Sequence, residues 1–123
     1  MRSALIDKTN AAAIDWEENH FKYCDFEGFS AEGRTISSDF IGCSFGNVDW
    51  YWGLFSFANF IDCRFKDCLF QGTTFANCRF VDCELINCRF IKNNLDTSCE
   101  FKQTVAYGWV TDGGEGFGAK AEP

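Results

Sequence analysis

Long apolar runs are what this sequence lacks most plainly. None approaches the roughly 20 residues that a membrane-spanning helix needs. Residues 1–20, which carry Asp7 and Lys8, also lack the roughly 7–15-residue apolar core of a secretory signal. A cytoplasmic chain without membrane contact is expected. Positive charge is in deficit too: 11 basic side chains face 18 acidic ones, for a formal charge of −7. That balance disfavours a phosphate-binding footprint, so direct nucleic-acid contact is not expected, whereas a basic partner or simple solubility fits.

Chemistry-bearing patterns are equally scarce. The one histidine, His20, stands beside Asn19 with no identifiable partner, so it reads as a solvated or capping residue. A Cys–His dyad has nothing to support it, and neither Cys24 nor Cys99 has a visible partner. No two cysteines lie closer than five residues, which excludes the paired Cys-x-x-Cys spacing of a zinc site. The glycines at 113–118 follow no strand-to-helix pattern and make no phosphate loop. No catalytic residue, cofactor or metal is expected.

Proline is nearly missing as well, at 1 residue, while phenylalanine reaches 15. Such a ratio points to a repeated demand for one bulky ring. Every fifth position from Phe40 carries a large apolar residue: Phe40, Phe45, Trp50, Phe55, Phe60, Phe65, Phe70, Phe75, Phe80, Leu85, Phe90 and Leu95. Two residues before each stands a small one in most units: Ser38, Cys43, Val48, Gly53, Ala58, Cys63, Cys68, Thr73, Cys78, Cys83 and Cys88, with Asn93 the polar amide. A period of five suits neither a helix nor a strand, so the chain must turn within each unit. If four units close a square coil, both apolar positions point to the axis, the ring filling the interior and the small residue leaving room for it. Coils stacked at about 4.8 Å make three turns of the central series a body of roughly 15 Å.

These units resemble the pentapeptide-repeat family in its Phe-x-x-Cys-x-Phe form. The resemblance is carried by Phe60-Ile-Asp-Cys63-Arg-Phe65-Lys-Asp-Cys68-Leu-Phe70, by Phe75-Ala-Asn-Cys78-Arg-Phe80-Val-Asp-Cys83-Glu-Leu85 and by Ile86-Asn-Cys88-Arg-Phe90. It implies an all-β, right-handed quadrilateral β-helix, no cofactor, and use as a protein-interaction scaffold. Three to five coils are expected, because Phe21, Cys24-Asp-Phe26 and Cys99-Glu-Phe101 are further units, one residue out of phase. In this family, long, acidic, dimeric members resemble B-DNA and protect DNA gyrase from quinolones.

The expected organisation is an N-terminal cap over 1–20, a solenoid over 21–101 with an irregular loop at 27–38 that absorbs the first phase slip, and a C-terminal cap and flexible glycine-rich tail over 102–123. Within the cap, Asn10 could start a short helix through Ala11 to Glu18, and an edge strand is the alternative. Val105, Tyr107, Trp109 and Val110 could cover the other end, and Phe117 in the tail could order on a partner or second copy. Cysteines twenty apart, Cys43, Cys63 and Cys83 or Cys68 and Cys88, should stack as buried thiols. Asp62, Asp67 and Asp82 recur at one place in the unit and read as corners, since Asp favours turns.

Function should be read on outward positions. Tyr51, Trp52, Leu54 and Phe57 occupy positions that elsewhere hold Asn, Asp, Arg or Gly, and the twenty-residue stacking adds Leu69 and Ile91. An exposed aromatic cluster of this kind is a protein-contact surface, unless the N-terminal cap or the 27–38 loop folds over it. Residues 40–101 have a net charge of only −2, so the coil body is weakly acidic. The leading expectation is a small bacterial, non-enzymatic module that binds one protein, in a toxin-neutralising or adaptor role. DNA mimicry towards DNA gyrase or another topoisomerase is the alternative, and a homodimer through an end coil or the aromatic patch stays open.

Overall fold

Each unit of this chain turns because its fifth residue adopts a left-handed backbone. In the stretch 63–67, Cys63 and Phe65 are buried, Arg64 and Lys66 are exposed, and Asp67 closes the unit at φ 55°. Asp, Asn and Gly tolerate that conformation better than other residues, which explains their recurrence at this position. The next three-residue strand then starts a new side. The computed structural model describes residues 2–114, and these units wind into a four-sided parallel β-solenoid of about four turns.

The register defines the sides by their inward residues. Side 1 stacks Ile6, Phe26, Phe45, Phe65, Leu85 and Thr111. Side 2 stacks Ala31, Trp50, Phe70 and Phe90. Side 3 stacks Ile36, Phe55, Phe75 and Phe101, and side 4 stacks Phe21, Phe40, Phe60, Phe80 and Ala106. Because the ladder separates coils by about 4.8 Å, rings of one side fall into near-parallel stacks. Phe40 to Phe60 is 4.9 Å at 5° and Phe60 to Phe80 is 4.8 Å at 8°. Rings of adjacent sides meet edge-on, as Phe60 and Phe65 do at 5.4 Å and 65°.

The small inward position has a second role in most units. The Sγ of Cys63 lies 3.3 Å from the carbonyl oxygen of Phe40, and that of Cys83 lies 3.2 Å from Phe60's. Thr73 and Thr104 hydroxyls donate to Trp50 and Phe75 carbonyls at 3.2 and 2.9 Å. Where it is Cys, Thr or Ser, the residue is small enough for the ring beside it and also offers a donor to the coil below, whereas Val48, Gly53 and Ala58 are small without offering one. Cys43, Cys63, Cys68, Cys78, Cys83 and Cys88 are all buried, and all eight cysteines are free thiols. Hydrogen bonding to Cys43 and Cys83, then burial, pushes the Cys63 thiol up; Cys88 and burial do the same to Cys68, and burial pushes Cys78 up to about 11.

Several boundaries differ from the sequence reading. Residues 27–38 form regular coil, not an irregular loop: Ser30–Glu32 and Thr35–Ile41 are strands with Ala31 and Ile36 as inward residues. The phase slip is a missing corner, since Thr35–Ile41 passes straight from side 3 to side 4. The real insertion comes later. Eight residues, 92–99, separate Arg89–Ile91 from Glu100–Lys102, where two (72 and 73) suffice one coil earlier. Leu95, expected in the core, sits in this insertion and is 74 % exposed; Cys99 takes the inward place ahead of Phe101, its Sγ 3.2 Å from the Phe70 carbonyl.

At the N-terminal end the coil starts within 1–20, because Leu5–Ile6 pairs with Asp25–Glu27 and Glu17–Lys22 pairs with Thr35–Ile41. The expected helix shrinks to a 3-10 turn, Ala11–Ala13, and Asn10 makes no capping bond to it; its side chain instead holds the Asp7 N–H and the Leu5 carbonyl. Strand pairing claims residues 17–22, and Trp16 leaves the helical path to bury its ring over Phe21, Phe26, Phe29 and Trp50 at 5.6–6.1 Å. At the other end, 102–114 is not a separate cap. Val105–Tyr107 and Val110–Asp112 extend sides 4 and 1, and Trp109 covers Phe80 edge-on at 4.8 Å. Phe117 and the remaining tail, 115–123, lie outside the described residues.

Phe60→Ala, which removes the middle of a ring stack, should lower stability by about 3–5 kcal/mol in urea unfolding; an unchanged midpoint would show that the rings are not packed against one another. Burial holds the native Cys78 thiol up at about 11, against an ordinary thiol value of 9.0, so between those values this group binds more protons in the native state than in the unfolded one. The contribution of Cys78 to stability should therefore fall as pH rises through that window, as read by thermal melts of the native chain against Cys78→Ala from pH 8 to 11.

Candidate functional site

The corners are where this scaffold departs from its own rule. Ten consecutive corners, every fifth residue from 42 to 87, have φ between 52° and 63°, and eight of them are Gly, Asn or Asp. The other two are Trp52 and Phe57, both at φ 56° and exposed by 60 % and 67 %. A left-handed conformation costs a bulky residue roughly 1–2 kcal/mol. Tyr23, a corner one coil earlier, is also left-handed, but its ring lies over Gly42, where a Cβ would come within 2.7 Å, and Arg2 sits 5.7 Å from its centroid. Neither Trp52 nor Phe57 has a ring or cation contact among the described residues.

The six expected contact residues do not share one side. Tyr51, Leu69 and Ile91 are half-buried on side 2, with Tyr51 and Ile91 in one outward column and Leu69 in the other, between Asp49 and Arg89. Trp52 turns the corner from side 2 to side 3. Leu54 lies on side 3, and Phe57 turns the corner to side 4. Side 3 between those two aromatic corners carries small outward residues, Ser56, Thr74 and Ala76 beside Leu54. Charge returns only at its far edge, with the Glu100–Lys102 pair at 3.2 Å.

Neither the N-terminal segment nor 27–38 covers the cluster. The insertion 92–98 does reach it: the Asn94 N–H donates to the Tyr51 hydroxyl at 3.1 Å. Asn93, read only as a polar break in the series, organises this insertion. Its Oδ1 accepts from the Leu95 and Thr97 N–H groups at 2.9 and 3.0 Å, and its own N–H donates to the Thr97 carbonyl at 3.0 Å.

Sequence reasoning missed side 4. Ile41, Ile61, Val81 and Tyr107 form an outward apolar column beside Asp39, Asn59 and Arg79, and the six residues from 39 to 81 line a shallow cavity of about 270 Å³. The twenty-residue spacing that stacks the core would have found it had it been applied to every outward position. His20 has a partner after all, its Nδ1 3.1 Å from Asp39 Oδ2 on this side. Cys24 is buried in the core while His20 is exposed outside it, so the geometry assembles no dyad. Among the described residues no group of three or more His, Cys, Asp or Glu could hold a metal.

Asn93→Ala should free residues 94–98, raising amide exchange at Leu95 and Thr97 and costing about 1–3 kcal/mol for the groups left unpaired; unchanged exchange would mean the insertion is held by other contacts.

The family model described as pentapeptide repeats matches residues 54–95 in eight copies. No curated protein matches the chain. Among solved structures, two trypsin-treated variants of QnrB1, a plasmid-mediated fluoroquinolone resistance protein, align with TM-scores of 0.49 and 0.47 at 18 % and 23 % identity, covering 88 % and 89 % of this chain. The chain spans about half of those chains, 53 % in each case. Rfr23, a pentapeptide repeat protein from the cyanobacterium Cyanothece 51142, aligns at TM-score 0.36 and 10 % identity over 76 % of this chain and 87 % of its own. Residues 54–95 thus carry the repeat that this family model describes, and the same five-residue unit and register continue on both flanks.

Proposed function

We propose that this chain is a non-enzymatic protein-binding scaffold whose contact surface is side 3 with the two aromatic corners that bound it. The reading rests on one observation: Trp52 and Phe57 are held exposed, in a backbone conformation that their neighbours give to Gly, Asn or Asp. Both the left-handed conformation and the exposed ring are unfavourable in the isolated chain, and a partner that buries the rings offsets both. The small outward residues between them, Ser56, Thr74 and Ala76, let a flat partner surface approach. Sequestration of one protein, in a toxin-neutralising or adaptor role, suits a rigid rod with such a platform. Eight free thiols suit a reducing cytoplasm.

The alternative is a DNA-mimicking modulator of DNA gyrase or another topoisomerase. It calls for an acidic column, and the outward residues here favour the first reading. On side 1, Asp25, Ser44, Arg64 and Glu84 follow one another, with Arg64 and Glu84 at 3.5 Å, and the middle of side 3 is uncharged.

Trp52→Asn with Phe57→Asn separates fold from function. Relief of two unfavourable corners, each worth about 1 kcal/mol, should raise the melting temperature by several degrees. Proteins retained by the native chain on affinity capture from its host should be lost. Retention of the same proteins by the double variant would sink the proposal, and inhibition of gyrase supercoiling by both forms alike would favour the alternative.

A further inference from the structure

The four sides do not end level at the N-terminus. Side 1 begins at Leu5–Ile6 and side 4 at Glu17–Lys22, and the Trp16 carbonyl accepts from the Ser37 N–H at the start of side 3. Side 2 begins only at Ser30–Glu32, which pairs with Asp49–Tyr51 and with no other strand of the described residues. Residues 7–15 cross the end of the coil instead of supplying the missing strand. The Asp49 N–H donates to the Phe29 carbonyl and the Gly33 N–H to the Tyr51 carbonyl. By the alternation of a parallel ladder, the N–H and C=O of Ser30 and of Glu32 therefore face the vacant position.

The vacancy has depth. Ala31 stands where sides 1 and 4 carry Phe26 and Phe21, and a cavity of about 320 Å³ opens there against Trp16, Phe29, Ala31 and Ala11. Lys8 and Arg34 flank it. Arg34 has no ion pair among the described residues and Lys8 has only the exposed Asp7 near it. Two such cations at an apolar slot stand out in a chain of net charge −7. Glu32 also lines the cavity and, as an outward strand residue, sits in the column of Tyr51 and Gln71.

We propose that this slot binds an extended acidic peptide segment of another protein, which adds the missing strand of side 2 in parallel register. The chain's own unit predicts the fit. The peptide's central aliphatic residue fills the cavity over Ala31, donates its N–H to the Ser30 carbonyl and accepts from the Glu32 N–H. An Asp two residues later takes the corner, as Asp62, Asp67 and Asp82 do, above Gly33 and next to Arg34. This contact is separate from the aromatic corners of side 3.

The probe is the synthetic peptide acetyl-Gly-Ser-Leu-Ser-Asp-Gly-amide, titrated into the full chain. Saturating peptide should slow amide exchange at Ser30 and Glu32 at least tenfold. Arg34→Glu should weaken binding about tenfold, N-methylation of the peptide's leucine should abolish it, and Trp52→Asn should leave it unchanged. Absence of protection at Ser30 and Glu32 at millimolar peptide, or binding indifferent to N-methylation and to Arg34→Glu, overturns the proposal. So does sedimentation showing a dimer that protects the same two amides without peptide, because the occupant would then be a second copy.

Discussion

Parallel stacking of aromatic rings along the coil axis is the interaction on which the remaining structure depends. A backbone ladder fixes the separation of successive coils, and where one Phe follows another on the same side the two rings lie 4.5 to 5.0 Å apart, as in Phe26 over Phe45 or Phe75 over Phe101. The rings satisfy each other, but they leave carbonyl groups beside them inside the coil. Cys, Thr and Ser at the preceding inward position meet that need, each donating to the coil below. Corner geometry follows from the same demand, because only a left-handed residue between strands returns every fifth side chain to the axis. Where the rings run out, tryptophan replaces them: Trp16 closes one end and Trp109 leans over Phe80 near the other.

The series from Phe40 to Phe90 was legible because the chemistry of its inward residues never changes, and each of these residues is buried. Leu95 misled because side-chain type alone cannot reveal an insertion. Asn93 is the residue that carried the information, through hydrogen bonds to Leu95 and Thr97 that no periodicity encodes. Ala31, Ile36, Ala106 and Thr111 were invisible for the opposite reason: they occupy ring positions without being rings, so residues 27–38 read as a loop and 102–123 as a cap and tail. Trp52 and Phe57 stand out in the sequence as exceptions to the outward pattern. What sequence could not supply was that they occupy left-handed corners at the two edges of one flat side, and that Leu69 belongs to a different side.

A rod built this way is indifferent to most of its outward residues, which lets binding surfaces be placed on it almost independently. Side 3 is flat and bounded by two unsupported rings, side 4 carries a shallow apolar column, and side 2 lacks its first strand. Because nearly all pairing is between adjacent coils, an outward substitution should stay local, whereas a register error should propagate.

That difference gives the most direct test of the account. A single alanine inserted between Asp67 and Cys68 shifts every later ring off its stack, while the same insertion between Leu95 and Asp96 lengthens an existing excursion. Thermal unfolding followed by circular dichroism should show the first variant losing its cooperative transition and the second melting within a few degrees of the native chain. Equal melting temperatures for the two variants would contradict the claim that five-residue register, and the ring stack it produces, holds this protein together.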